Sequence, residues 1–290
     1  MRRQTFRRRA SALPARVGLA AGVIVLLCLA LAVPAFAFAA RSTRTVVVPQ
    51  LAERSVTATC PKGEHVSFGG VIGEFKPPPK TTGRPSVYPT SMHRTAAGQW
   101  TVSGQSEAIG TGSHLSAVAY CDRGSVPRVA SSTIRLGGFD AKTAIATCPA
   151  GTVVVGGGYS SGSSLTHVEY LGQLDLDSST RLAVTMVNIS KAATTVTAIA
   201  YCAKGPAPTE HSTVLKLAGH KGGTARVSCP AHTSLVFGGV LVSPPTESSA
   251  GNFSAVVPFT WTAPTPTQWV VSGYNLGNLP GTLLAVAYCR

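Results

Sequence analysis

One pattern recurs three times and limits what this chain can become. It opens on Cys-Pro, passes a glycine pair nine and ten positions on, and closes on Ala-Tyr-Cys. The copies run from Cys60-Pro61 through Gly69-Gly70 to Ala119-Tyr120-Cys121, from Cys148-Pro149 through Gly157-Gly158 to Ala200-Tyr201-Cys202, and from Cys229-Pro230 through Gly238-Gly239 to Ala287-Tyr288-Cys289. Self-similarity at a long, nearly fixed period is the mark of a repeated structural unit. Ala58, Ala146 and Val227 stand two positions before each opening cysteine, and Val56, Ala144 and Ala225 stand four before it. Side chains alternate along a strand, so both sets share one face, which is expected to be the buried one.

The match extends in both directions. Thr45-Val46-Val47-Val48, Thr133-Ile134-Arg135-Leu136 and Thr213-Val214-Leu215-Lys216 read as an extra leading strand in each copy. Trp100, Leu182 and Trp269 share one position, and Ser106, Asn188 and Asn275 lie six residues after it. Leu115, Val196 and Leu283 precede the closing Ala-x-Ala-Tyr-Cys runs. With 30 Gly, 20 Pro, only 12% charged residues and no long amphipathic pattern after residue 40, the chain reads as all-β. The expected fold is three homologous antiparallel β units, 41–124, 125–205 and 206–290. They form either one pseudo-threefold, β-prism-like body or a string of small sandwiches.

Residues 1–40 read differently. Arg2, Arg3, Arg7, Arg8, Arg9 and Arg16 precede an uncharged apolar run over 17–40, which ends with Ala-Phe-Ala at 35–37 or 37–39. This is the layout of a secretory signal peptide with a cleavage site. The run is also long enough to act as an uncleaved signal anchor, an apolar helix spanning the membrane. Either way residues 41–290 are expected outside the cytoplasm, secreted or on the cell envelope. Any membrane contact is expected only through residues 17–40.

Export changes the reading of the cysteines. Beyond residue 40 six remain, two per copy, which in an oxidising compartment implies disulfides. The repeat favours Cys60–Cys121, Cys148–Cys202 and Cys229–Cys289. The rival scheme joins Cys121 to Cys148 and Cys202 to Cys229. A metal site is not expected, because no Cys-x-x-Cys occurs.

Catalytic patterns are missing. The glycine pairs are followed by neither Lys-Ser/Thr nor a helix pattern, so they read as a bulge or a close backbone approach rather than a phosphate loop. Gly63 and Gly151 suit a turn after Cys-Pro, and His232 stands in their place in the third copy as a turn substitution. The seven histidines never share a repeat position and form no metal-ligand pair. Asp175 and Asp177 are the one closely spaced carboxylate pair and read as a solvated loop. No enzyme activity and no cofactor is expected. Trp100 and Trp269 read as core, since Leu182 takes the same place. Trp261 breaks the repeat and is the expected exposed aromatic. With Phe253 and Phe259 it forms the candidate ligand-binding group. Asn188-Ile189-Ser190 and Asn252-Phe253-Ser254 match the glycosylation pattern.

Setting aside the six arginines of the head leaves 19 Lys and Arg against 11 acids, a net +8. That balance suits anionic wall polymers or membrane surfaces, but sparse, scattered charge that serves solubility alone is the preferred explanation. No nucleic-acid partner is expected. The stretches between each glycine pair and the Trp/Leu position differ most, so specificity is expected in those loops.

The Cys-Pro-x-Gly…Gly-Gly…Trp-x-Val…Asn…Ala-Tyr-Cys pattern resembles a group of uncharacterised secreted proteins of actinomycete type. His232 for Gly, Leu182 for Trp and Ser106 for Asn depart from it. The resemblance implies export and a β fold and carries no site residues. The functional expectation is therefore an exported, non-enzymatic binding or surface module for carbohydrate or cell-wall polymer. A structural envelope protein anchored by its N-terminal helix and a hydrolase with an unrecognised site are the alternatives.

Overall fold

The structure is a computed structural model describing residues 38, 40–76, 84–85, 87–106, 113–162, 169–244, 246–247 and 253–290. The arginine head, most of the apolar run with its expected helix, and Asn252 lie outside the described residues. Among those described there is no helix.

The first segment contributes β1 (Ala40–Val48), β2 (Glu53–Thr59), β3 (His65–Gly73), β4 (Phe75–Lys76), β5 (Arg84–Pro85), β6 (Tyr88–Ala96), β7 (Gln99–Gln105) and β8 (Ser113–Asp122). The second contributes β9 (Arg128–Leu136), β10 (Asp140–Thr147), β11 (Val153–Ser161), β12 (Glu169–Ser178), β13 (Arg181–Asn188) and β14 (Thr194–Ala203). The third contributes β15 (Thr209–Leu217), β16 (Gly222–Ser228), β17 (Leu235–Val242), β18 (Thr246–Glu247), β19 (Phe253–Ser254), β20 (Val256–Thr265), β21 (Gln268–Asn275) and β22 (Gly281–Cys289).

Eighteen of these strands form three six-stranded antiparallel sheets, and β4–β5 and β18–β19 pair as two small two-stranded ones. Sheet I has the order β1-β8-β3-β20-β21-β16, sheet II β2-β7-β6-β11-β14-β9, and sheet III β10-β13-β12-β17-β22-β15. Each is two three-stranded halves from different segments. The halves meet over short ladders: Val71–Ile72 opposite Thr260–Trp261, Ser91–Met92 opposite Tyr159–Ser160, and Gln173–Leu174 opposite Val240–Leu241. The end strands of neighbouring sheets lie side by side, β1 with β2, β9 with β10 and β15 with β16. Each edge of the three large sheets therefore has another edge against it, which shields the row of ladder groups an edge strand otherwise presents.

The expected alternation holds on these end strands. Val56 and Ala58 in β2, Ala144 and Ala146 in β10, and Ala225 and Val227 in β16 are buried between more exposed neighbours. The strands at the centre, β3, β11 and β17, are buried along most of their length on both faces. Each carries a register break at the same place, between Val66 and Phe68, Val154 and Gly156, and Leu235 and Phe237. One extra residue per strand is left over there, Ser67, Val155 and Val236, as in a β-bulge.

The glycine pairs have two separate jobs. A Cβ on Gly69 or Gly238 would lie 2.1 or 2.0 Å from the ring of Trp100 or Trp269, and one on Gly157 would lie 2.7 Å from Leu182. The first glycine is thus the seat of the Trp/Leu side chain. A Cβ on the second would strike the carbonyl oxygen of Trp261, Met92 or Leu174, 2.3–2.7 Å away. It admits the backbone of the adjoining half-sheet. Trp100 Nε1 donates to Gly70 O at 3.2 Å and Trp269 Nε1 to Gly239 O at 2.9 Å, so both indoles are satisfied inside the core.

Candidate functional site

Three disulfides form: Cys60–Cys121, Cys148–Cys202 and Cys229–Cys289. Each spans the two half-sheets contributed by one segment, so the rival pairing is excluded.

The tyrosine before each closing cysteine ties halves from different segments. Its hydroxyl accepts a backbone N–H from the adjoining half-sheet: Ala263 to Tyr120 at 2.5 Å, Arg94 to Tyr201 at 2.6 Å, and Leu176 to Tyr288 at 3.1 Å. The preceding residue differs each time. Thr262 Oγ1 bonds the Tyr120 hydroxyl, while Tyr288 donates to Asp175 Oδ1. His93 stands there in sheet II, and burial lowers its pKa. The guanidinium of Arg94 lies over the Tyr201 ring, 4.5 Å from its centroid, and donates to the carbonyls of Val66 and Pro127.

Several sequence expectations need correcting. Trp261 is fully buried, and its Nε1 lies 3.0 Å from Met92 Sδ. It sits opposite Val71 on the junction of β20 with β3, so it breaks the repeat as a core residue and has no surface to offer a sugar. Phe259 is half-buried and Phe253 is 40% exposed on the small β18–β19 sheet. Asp175 and Asp177 lie on strand β12 rather than in a loop. Asp175 is buried, while Asp177 is exposed and pairs with Arg181 at 3.1 Å. A register break between Leu176 and Ser178 separates their environments, so they make no acid–base pair. Asn188 is buried, with Nδ2 donating to Gly137 O and Ala192 O and Oδ1 accepting from Ser190, which leaves no free amide for glycosylation. His232 has φ +65°, matching Gly63 at +84° and Gly151 at +76°, so it is the turn substitution expected. Among the described residues no three His, Cys, Asp or Glu gather as metal ligands.

The strongest candidate site went unrecognised in the sequence. It is a cavity of about 720 Å³ near the closing cysteines, lined by residues of all three segments. The three bulge residues Ser67, Val155 and Val236 line it, each delivered by a different sheet. Phe68 and Leu235 extend the apolar wall, and Phe38 packs on that side with its ring 4.7 Å from Tyr120 and 6.1 Å from Phe68. The turns after the closing cysteines and the start of β9 complete the lining beside these bulges. They carry Arg123, Arg128, Lys204 and Arg290, with Asp122 as the one carboxylate side chain in the lining. Arg123 Nε is 3.2 Å from Glu64, and Arg290 donates to Pro206 O. His65 is buried there beside Asp122, and burial depresses its pKa, with Asp122 opposing the shift. The imidazole is therefore biased toward its neutral form. Two signals in the sequence marked this place. A basic residue stands one or two positions after each closing cysteine (Arg123, Lys204, Arg290), and the position seven after each opening cysteine becomes the bulge.

No protein-family model matches the chain, and no curated protein matches it.

Proposed function

We propose that the chain is an exported, non-enzymatic binding module of the cell envelope and that the cavity beside the closing cysteines is its binding site. The observation that carries this reading is convergence: turns and bulges from three segments build one concave site lined by both apolar and basic residues. Ligand sites are concave, mostly apolar and fixed by a few polar groups, with volumes of about 300–1,000 Å³. The three disulfides favour an oxidising, extracytoplasmic setting. We read the body as a pseudo-threefold prism of homologous units. The bulges, glycine seats and tyrosine ties at matching positions support that reading. The ligand is a carbohydrate or wall polymer bearing negative charge, as the basic residues of the lining favour.

Retention of the oxidised protein on purified cell wall and on a polysaccharide panel tests the proposal. The double variant Arg128→Glu/Lys204→Glu runs beside the wild type. Both side chains are exposed, so folding is expected to survive. Retention that the double variant loses supports the cavity. Retention that both proteins share moves the site elsewhere, and no retention on any matrix favours a purely structural envelope role.

A further inference from the structure

Resting on that reading, we infer that the cavity takes an anionic amphiphile, a small molecule with one phosphate or carboxylate head and an apolar body. The lining divides into two chemistries that no single simple ligand satisfies. Phe68, Val155, Leu235 and Val236 present an apolar wall beside the ring of Phe38. Burying an apolar group there removes surface from water on both sides, which drives association in proportion to the area covered. The rest of the lining carries cations among smaller apolar residues. Two of its charges, Arg128 and Lys204, have no carboxylate within ion-pair distance among the described residues. Arg290 is half-buried beside them and remains charged, as an arginine does.

A bare anion would leave the apolar wall wet. A neutral hydrocarbon would bring no counter-charge to Arg128 and Lys204. A cavity of about 720 Å³ holds one drug-sized group at a time, so a wall polymer would place only a terminal unit in it. The head therefore belongs against Arg128, Lys204 and Arg290, and the body against the three bulges. Such a group occurs free or as the terminal unit of an acylated envelope component, and the chemistry recognised is the same.

Calorimetric titration of the full chain, as recovered from expressing cells, tests this with dodecyl phosphate, dodecanol and inorganic phosphate as separate probes. Dodecyl phosphate is expected to bind, with the other two weaker by about tenfold or more because each satisfies one of the two chemistries. Raising the salt is expected to weaken dodecyl phosphate binding, since the rim charges are exposed. Arg128→Glu/Lys204→Glu, with its melting temperature checked, is expected to bind dodecyl phosphate about tenfold more weakly or worse. Equal binding of inorganic phosphate or of dodecanol overturns the inference, as does an unaffected double variant. Phosphatidylglycerol vesicles form the last arm. Association with vesicles and no binding of soluble dodecyl phosphate also overturns it, in favour of a membrane surface. Wall retention that persists while dodecyl phosphate neither binds nor competes sinks this inference and leaves the envelope-binding reading standing. Dodecyl phosphate binding without wall retention does the reverse.

Discussion

The Tyr288 hydroxyl donates to Asp175 Oδ1, joining a strand of the third segment to one of the second inside sheet III. Asp175 is buried, and that burial pushes its pKa up to about 6 from an ordinary 3.8, against the opposing pull of the Tyr288 hydrogen bond. The neutral acid is therefore the form the fold prefers. Its contribution is fully present below the unfolded pKa and is lost as pH rises through the folded one, a window of about pH 4–6. Two pKa units correspond to ~3 kcal/mol at most. Asp175→Asn keeps a hydrogen-bond acceptor and removes the titration. Burial shifts His65 and His93 the opposite way, so the comparison must be by difference. The variant is expected to gain stability relative to wild type between pH 4 and 7 in urea unfolding. A difference that stays flat across that range refutes the assignment.

The glycine pairs predict a graded series. Gly69→Ala and Gly238→Ala drive a methyl into an indole buried on all sides, and each is expected to cost ~3 kcal/mol or more, or to abolish folding. Gly157→Ala meets the tip of Leu182, which can shift rotamer, and is expected to cost less. Melting temperatures of the three variants check the order. If Gly157→Ala were the worst of them, the seat described for the Trp/Leu position would be wrong.

Cooperativity follows from the sheets. A segment taken alone would leave both its half-sheets without their partners and its tyrosine hydroxyl without a backbone donor. Residues 125–205 expressed alone are expected to be unfolded by circular dichroism, and the whole body is expected to melt in one calorimetric transition. Replacing Cys60 and Cys121 together by Ser opens a crosslink with a sequence separation of 61. That is expected to lower stability by ~4 kcal/mol on the chain-entropy argument, without splitting the transition. A folded isolated segment or a second transition would contradict the shared-sheet account.

His232 is the fourth test. A non-glycine residue in the left-handed region costs about 1–2 kcal/mol, and a more flexible unfolded chain offsets part of any gain from glycine. His232→Gly is expected to raise stability by up to ~1 kcal/mol, and Gly63→Ala or Gly151→Ala to lower it by a similar amount. Chemical denaturation reads these directly. Destabilisation by His232→Gly would mean that the imidazole makes a contact beyond its turn.

Features set by neighbouring residues were legible along the chain. Alternation at Val56/Ala58, Ala144/Ala146 and Ala225/Val227 marked the buried face, because a strand turns its side chains with period two whatever lies across from it. The matched spacing of the cysteines marked their pairing, and the place of His232 marked a left-handed turn. Trp261 and Asp175 were misread because their surroundings belong to other segments. Trp261 sits against β3 of the first segment, and Asp175 meets Tyr288 of the third. The sharing of each six-stranded sheet between two segments emerged from long-range strand pairing. The tertiary structure alone brought Ser67, Val155 and Val236 from three sheets to the wall of one cavity. The physical reason is that a bulge or a half-sheet junction depends on which distant strand supplies the partner, and no local pattern of side chains records that choice.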